Sequence, residues 1–261
     1  MRVNGKVALI TGGAGGIGAE TARVLAREGA QVVIADLADD AGAEIAAEIR
    51  ATYLRHDVSS EPQWQEVVGK VAARHGKIDV LVNAAGIEGD LKNAGLETSL
   101  AEWRRVMAVN LDGTFLGCRT VLPKMLEKGA GSIVNISSIV SFFATPTALS
   151  YGASKAAVEQ LTRSIAQLGG ADDGKRVRCN SVHPGVIKTR MTDNILSEFA
   201  KLSGVSPEQA EAAVNANILF KCRGQPSDVA SLILFLASDE SAYITGSAFQ
   251  VDGGWHLVSA G

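Results

Sequence analysis

Val7-Ala8-Leu9-Ile10-Thr11-Gly12-Gly13-Ala14-Gly15-Gly16-Ile17-Gly18 is the stretch on which the fold turns. Its apolar opening is short, rich in Val, Ile and Leu, and bounded by turn residues, which predicts a buried strand. An amphipathic pattern over Ala19–Glu28 follows at once and predicts a helix. Strand, glycine turn and helix in that order leave backbone N–H groups at a helix N-terminus with no side chain in front of them. Glycine at 12, 16 and 18 permits a tight turn, close approach of a dinucleotide pyrophosphate and close helix–strand packing. Glycine-rich turns also occur in α/β proteins for purely structural reasons. The position between a strand and a helix favours the dinucleotide reading.

Working outward, Val32–Ala35, Ile78–Asn83, Ile133–Ser137, Val177–Val182 and Ala248–Val251 are further short apolar runs, and another strand ends at Asp57. Helical patterns over Ala41–Arg50 and Glu61–His75 lie between the earlier ones, with a serine available as N-cap and Pro62 in the first turn of the latter. A long helix is expected from near Tyr151 to about Leu168, and another over Pro226–Ala237. This alternation predicts a parallel sheet of about seven strands, doubly wound with helices on both faces, which is a single-domain α/β Rossmann fold. No repeat, low-complexity segment or linker divides the chain, so residues 1–261 are expected to form one domain.

Composition agrees. A hydrophobic fraction of 46% with 20% charged residues suits a sizeable core, and with 5% aromatics the packing falls to small and aliphatic side chains. The formal net charge is -3 and no Lys/Arg block runs along the chain, so nucleic acid is not expected as a partner. Cys118, Cys179 and Cys222 lack metal-ligand spacing, which points to reduced thiols and no zinc; no His/Cys/Asp cluster suggests another metal. Met1–Lys6 is too short a lead for a signal peptide, and no apolar run reaches the roughly 18 residues that span a bilayer. A cytoplasmic protein without membrane association is expected.

Asp36 ends the second predicted strand. A carboxylate there accepts hydrogen bonds from both hydroxyls of an adenosine ribose and repels a 2′-phosphate. Its successor is Leu37, so the arginine that would welcome NADP is absent at that position, and NAD is the expected cofactor. Asp39 and Asp40 are expected to be solvated loop residues. Tyr151 and Lys155 stand one helical turn apart on a common face. Such a pair is common on helix surfaces, but here it accompanies Ser138 at a strand end and the glycine loop. A phenol has a pKa near ~10, and an adjacent ammonium favours the phenolate, which would suit Tyr151 to acid/base work. A serine hydroxyl would hold the substrate oxygen beside it.

Taken together, these motifs resemble the short-chain dehydrogenase/reductase family in its compact branch. The resemblance runs from Val7 to Gly254 and rests on Thr11–Gly18, Asp57, Asn83-Ala84-Ala85-Gly86, Asn110, Ser138, Tyr151-x-x-x-Lys155, and Pro184-Gly185 followed by Thr189. It implies Tyr151 as acid/base, Ser138 on the substrate oxygen, Lys155 on the nicotinamide ribose, and Asn110 holding a water that links Lys155 to solvent. It further implies a cofactor cleft that Gly12, Gly16, Ile17 and Gly18 open and that Asp36 and Leu37 bound on the ribose side. Asp57 and Val58 would contact the adenine, and Asn83, Ala84 and Gly86 would line the cleft. Pro184, Gly185, Ile187 and Thr189 would close it beside Tyr151 and Lys155, with Ile187 and Thr189 on the carboxamide. Ala84 departs from the usual asparagine and removes one side-chain hydrogen bond. Gly169–Lys175 lengthens the connection after the catalytic helix, in a segment expected to be a solvated loop.

The segment 188–220 is expected to form a substrate lid, with Met191, Ile195, Leu196, Phe199, Leu202 and Phe220 at helical spacings and Phe142, Phe143 and Leu149 flanking the site. A stripe such as Met191/Ile195/Phe199 serves a core as readily as a pocket. The substrate implied is a hydrophobic secondary alcohol, of the hydroxysteroid or cyclic alcohol kind. The resemblance also implies a homotetramer, paired through helices around 100–125 and 151–168 and through the C-terminal strand. The tail from Trp255 to Gly261 would either reach a neighbouring subunit's site or fray. His183 is expected to pack near the site. Two rivals are a ketoacyl-carrier-protein reductase, which Asp36 disfavours, and a non-catalytic dinucleotide sensor, which would be expected to lose Tyr151 or Lys155.

Overall fold

The computed structural model describes residues 1–171 and 174–258. Asp172 and Asp173 of the lengthened loop and Ser259–Gly261 of the tail lie outside the described residues.

Seven strands form one parallel sheet in the order β3-β2-β1-β4-β5-β6-β7. They are β1 (Val7–Thr11), β2 (Gln31–Asp36), β3 (Thr52–Arg55), β4 (Val80–Asn83), β5 (Ala130–Ile136), β6 (Arg176–Pro184) and β7 (Ala248–Val251). The order reverses at β1, which pairs with β2 on one side and β4 on the other. Open α/β sheets bind ligands outside the carboxyl ends of the strands at such a switch point.

Successive residues of a strand point to opposite faces, and helices cover both, so the central strands β1 and β4 are buried along their whole length. Ile10 and Ile34 face a layer made by α1 (Gly16–Arg27), α2 (Asp39–Ile49) and α9 (Pro226–Ala237), where they meet Leu25, Ile45, Ile233 and Leu236. Leu9, Leu81 and Ile133 face the other layer, made by α3 (Glu61–His75), α5 (Gly113–Lys128) and α6 (Leu149–Gly169), and meet Trp64, Met125 and Ile165.

Between β4 and β5 the chain runs through α4 (Leu100–Met107), a π-helical turn over Ala108–Asp112 and then α5. After β6, α7 (Arg190–Ser203) and α8 (Pro207–Ala216) follow, each opened by a capping box, Thr189 with Thr192 and Ser206 with Gln209. A single turn, α10 (Trp255–Val258), follows β7.

The predicted strands and helices appear at nearly their expected bounds. The third strand closes at Arg55 rather than Asp57, because its last ladder partner is Asp36, where β2 itself ends. Among the described residues no helix is long and apolar enough to cross a membrane. Cys118 and Cys179 are buried free thiols and Cys222 is exposed.

Candidate active site

The first half of the site is built from backbone. Gly12 and Gly16 take φ of +66° and +51°, the left-handed region that side chains rarely adopt. A Cβ at Gly12 would lie 2.7 Å from the backbone of Ala85, and one at Gly18 only 2.1 Å from the Gly12 carbonyl oxygen. The loop can therefore pack against the β4 end and α1 only as glycine. At Gly15, by contrast, a Cβ would meet nothing within 4 Å, so the loop opens outward there. Gly15 caps α1 without a side-chain hydrogen bond, which leaves the first-turn amides without a side-chain acceptor. That donor set, at the positive end of a helix dipole, fits a dinucleotide pyrophosphate.

Asp36 binds this loop to the end of β2. Its Oδ2 accepts from Ala14 N and its Oδ1 from Ala38 N, both at 3.0 Å. Each oxygen keeps a second lone pair for ribose hydroxyls. Leu37 is exposed beside it. Arg55, the neighbouring cation, is held by Asp39 at 2.5 Å and by the Leu37 carbonyl at 2.9 Å. On the far side, the Thr189 methyl would lie 3.3 Å from a Cβ at Gly16, so the start of α7 reaches the glycine loop.

The second half is built from side chains on β5, α6 and the π-helical turn. Lys155 is 4% exposed, donates from Nζ to the Ile136 carbonyl at 2.8 Å, and holds Nζ 5.7 Å from the Tyr151 ring centroid. Gly86 is where this group meets the cofactor cleft: a Cβ there would lie 3.4 Å from Lys155 Nζ and 3.3 Å from Asn110 Oδ1. Asn110 is fully buried in the π-helical turn. Its Oδ1 accepts from Ile87 N at 2.9 Å, and its Nδ2 donates to the Ile87 carbonyl at 3.0 Å and to Ser154 Oγ at 3.1 Å. Ser154 in turn donates to the Tyr151 carbonyl at 2.7 Å. Ser138 follows β5 and shares a hydrogen bond with Tyr151.

Burial dominates the titration of this group. It pushes the Tyr151 phenol above its usual value, with the charge of Glu88 adding to the rise and the Ser138 hydrogen bond opposing it. Burial also brings Lys155 down to about 8. Lys155 is not among the groups that set this direction for Tyr151. Its Nζ is directed to the Ile136 carbonyl, and both groups lie in surroundings that penalise charge.

The remaining sequence-derived positions fall into place unevenly. Asp57 Oδ1 accepts from Ser59 N at 2.9 Å and Ser59 Oγ at 2.7 Å. Val58 is buried, with a methyl 2.8 Å from where a Cβ at Gly113 would be. The Asn83 side chain turns into the interior and donates to Asn135 Oδ1 at 2.8 Å, so what it offers the cleft is backbone. Ala84 packs against the α1/α9 layer. Ile187 is buried and bridges Gly224, while its carbonyl accepts from Thr192 Oγ1. Ile17 is half-buried beside that layer. Pro184 ends β6, and Gly185 must be glycine because a Cβ would lie 2.7 Å from Asp252 Cα.

Three serines that support the site went unread in the sequence. Ser137 Oγ donates to the Lys155 carbonyl at 2.7 Å, and Ser154 links Asn110 to Tyr151. Ser141 donates to the Ser138 carbonyl at 2.8 Å. His183, fully buried, bonds that same carbonyl through Nδ1 at 3.1 Å and Ser181 Oγ through Nε2 at 2.8 Å. The adjacent Ser137-Ser138 and the serine just before Lys155 were the available signals.

The chain is similar in sequence and fold to known proteins. The family model described as enoyl-(acyl carrier protein) reductase matches residues 12–256. A 3-alpha-(or 20-beta)-hydroxysteroid dehydrogenase of Mycobacterium tuberculosis is 42% identical over 259 residues, covering 97% of this chain and 90% of the relative. A cyclopentanol dehydrogenase of Comamonas testosteroni is 40% identical over 260 residues, covering 97% and 98%. The crystal structure of levodione reductase superposes with a TM-score of 0.91 at 32% identity over 100% of both chains. Such proteins are alcohol dehydrogenases and carbonyl reductases that use a nicotinamide dinucleotide, and this chain is an oxidoreductase of that kind. It belongs to the short-chain dehydrogenase/reductase family.

Proposed function

We propose that the chain is an NAD(H)-dependent dehydrogenase that interconverts a hydrophobic secondary alcohol and its ketone, with Tyr151 moving the proton. The observation that carries this reading is the convergence of Tyr151, Lys155, Asn110 and Gly86 beside a glycine loop with no room for a Cβ at Gly12 or Gly18. The dinucleotide supplies or accepts the hydride. Ser138 holds the substrate oxygen against Tyr151, whose hydroxyl takes the alcohol proton in oxidation and returns it in reduction. Lys155, near its own titration range at about 8, receives or relays that proton, and Asn110 fixes the turn through which it reaches solvent. Thr189 and the Ile187 backbone close the cleft over the ring. The preference for NAD is supported by Asp36 and by the engagement of Arg55 with Asp39, which leaves a 2′-phosphate facing a carboxylate.

The apolar substrate class is supported by α7. Ile195 and Phe199 are 38% and 43% exposed, and Ala200 is the fully buried residue of that helix, so its apolar stripe is not core. Phe142 and Leu149, on the opposite side of the site, are exposed to a similar degree. This is the behaviour of a lid over 188–220 that closes on an apolar ligand. A homotetramer paired through α4–α5, α6 and β7 is part of the same proposal, supported by the half-exposed Phe115 on α5. The discriminating experiment measures NADH formation by purified protein across hydroxysteroids, cyclic secondary alcohols and hydroxyacyl thioesters, repeated with NADP. Turnover of the first two with NAD supports the reading. Turnover confined to thioesters with NADP would replace it with the carrier-protein reductase.

A further inference from the structure

At the opposite pole, around the amino ends of β1, β5 and β6, lies a cavity of about 410 Å³ that the dehydrogenase chemistry does not use. Lys6, Lys77, Lys128, Arg176 and Arg178 line it, against two carboxylates, Asp79 and Asp239. The chain as a whole carries -3, so this is a local reversal of sign.

The carboxylates present do not match these cations. Asp79 is buried and takes both Lys77, at 2.9 Å, and Lys128, while also accepting from Val7 N at 2.8 Å. Asp239 is engaged by Lys6 at 2.6 Å. Arg178 is only 8% exposed and has no carboxylate at ion-pair distance, the charge of Asp239 reaching it only from farther off: its Nη2 donates to the Leu236 and Ser238 carbonyls at 2.8 and 3.1 Å, and its Nη1 is buried with no hydrogen-bond partner. Arg176 is exposed at the rim, without an ion-pair partner among the described residues. The carbonyl end of α9, which Arg178 and Lys6 touch, supplies about half a negative charge. Five cations still exceed what surrounds them. Lys128 is correspondingly held below the usual lysine range, by burial and by repulsion from Lys77 and Lys6. Burying an uncompensated guanidinium is costly, and a bound anion is what removes that cost.

We propose that this cavity binds a small multivalent oxyanion of the phosphate class. Arginine and lysine together suit it, one offering a planar fork and the other a compact charge. The concave shape and the volume fit a phosphate or diphosphate group.

The test uses inorganic pyrophosphate on the enzyme saturated with nicotinamide dinucleotide, so that the glycine loop is already filled, with potassium chloride at equal ionic strength as reference. A saturable rise in Tm of about 5 °C at a hundredfold excess over Kd is expected. In Arg176→Gln, a change at an exposed side chain, pyrophosphate affinity should fall about tenfold. In Lys128→Gln/Arg176→Gln the rise should vanish, while turnover of the alcohol substrate is unchanged. Absence of a saturable rise over chloride in the unmodified enzyme, or an equal rise in the double variant, would overturn the proposal.

Discussion

The two halves of the active site are made in different ways. Around Gly12, Gly16 and Gly18 the structure acts through what is missing: left-handed backbone, uncapped amides and no room for a Cβ. Around Tyr151, Lys155 and Asn110 it acts through side chains set into the fold, with Lys155 bonded to Ile136 and Asn110 to Ile87 and Ser154, and the titration of Tyr151 and Lys155 is governed by burial. On the proposed function, the first half would bind by shape and dipole, which are fixed when the chain folds. The second is held in an unfavourable electrostatic state, and its chemistry depends on how far that state shifts. Damage to the one should therefore appear in binding, and damage to the other in rate and pH dependence.

The comparison breaks most sharply at Tyr151. Tyr151→Phe should lower kcat by about three orders of magnitude while dinucleotide binding, followed by nicotinamide fluorescence, stays within about twofold. Gly12→Ala should do the reverse. Its methyl would press on the Ala85 backbone, and φ of +66° is strained for alanine, so dinucleotide Kd should rise about a hundredfold and Tm should drop by several degrees. A Gly12→Ala enzyme that binds normally would mean the loop is only a turn.

Lys155 sharpens the contrast through stability. Its folded pKa of about 8 lies below the usual lysine value of 10.5, so between these the unfolded chain holds more protons than the folded one. Stability from this group accordingly rises with pH across that window, and below it the buried ammonium is a cost. Lys155→Met should stabilise the dinucleotide-free protein near pH 7 by on the order of 2 kcal/mol, with the gain fading toward pH 10, while turnover is lost. Chemical denaturation at several pH values checks this; a uniform loss of stability would show that the Ile136 hydrogen bond outweighs burial. The smallest effect belongs to Ser154. Ser154→Ala removes the link from Asn110 to the Tyr151 carbonyl and should lower kcat a few-fold and stability by about 1 kcal/mol. KM for the dinucleotide should not change.

The same division explains what the amino-acid sequence discloses. The Val7–Gly18 stretch is readable because glycine spacing is a direct record of backbone geometry, and strand, turn and helix appear where expected. The π-helical turn at Ala108–Asp112 is not readable: no proline or glycine interrupts Leu100–Asp112, and the irregularity follows from packing Asn110 against Ile87 and Ser154. Asn83 was read as a cleft residue, yet it alternates in step with Leu81, which faces α3 and α5, so its side chain belongs to the interior beside Asn135 and Cys118. The helical spacing of the proposed lid is visible in Met191, Ile195 and Phe199, but only the fold shows that Ile195 and Phe199 remain exposed. The titration of Tyr151 is the largest departure. A neighbouring lysine can be read from sequence, whereas the desolvation that raises the phenol depends on every element closing around α6.

The most direct measurement is kcat/KM as a function of pH in both directions, with the dinucleotide saturating, from about pH 6 to about pH 10. A proton carried by Tyr151 requires the deprotonated phenol for alcohol oxidation and the protonated one for ketone reduction. With the phenol held above its usual value by burial, oxidation should climb with pH without levelling below about pH 10, while reduction holds and then falls only toward the top of the range. Profiles that are flat, or that move the same way in both directions, would contradict it.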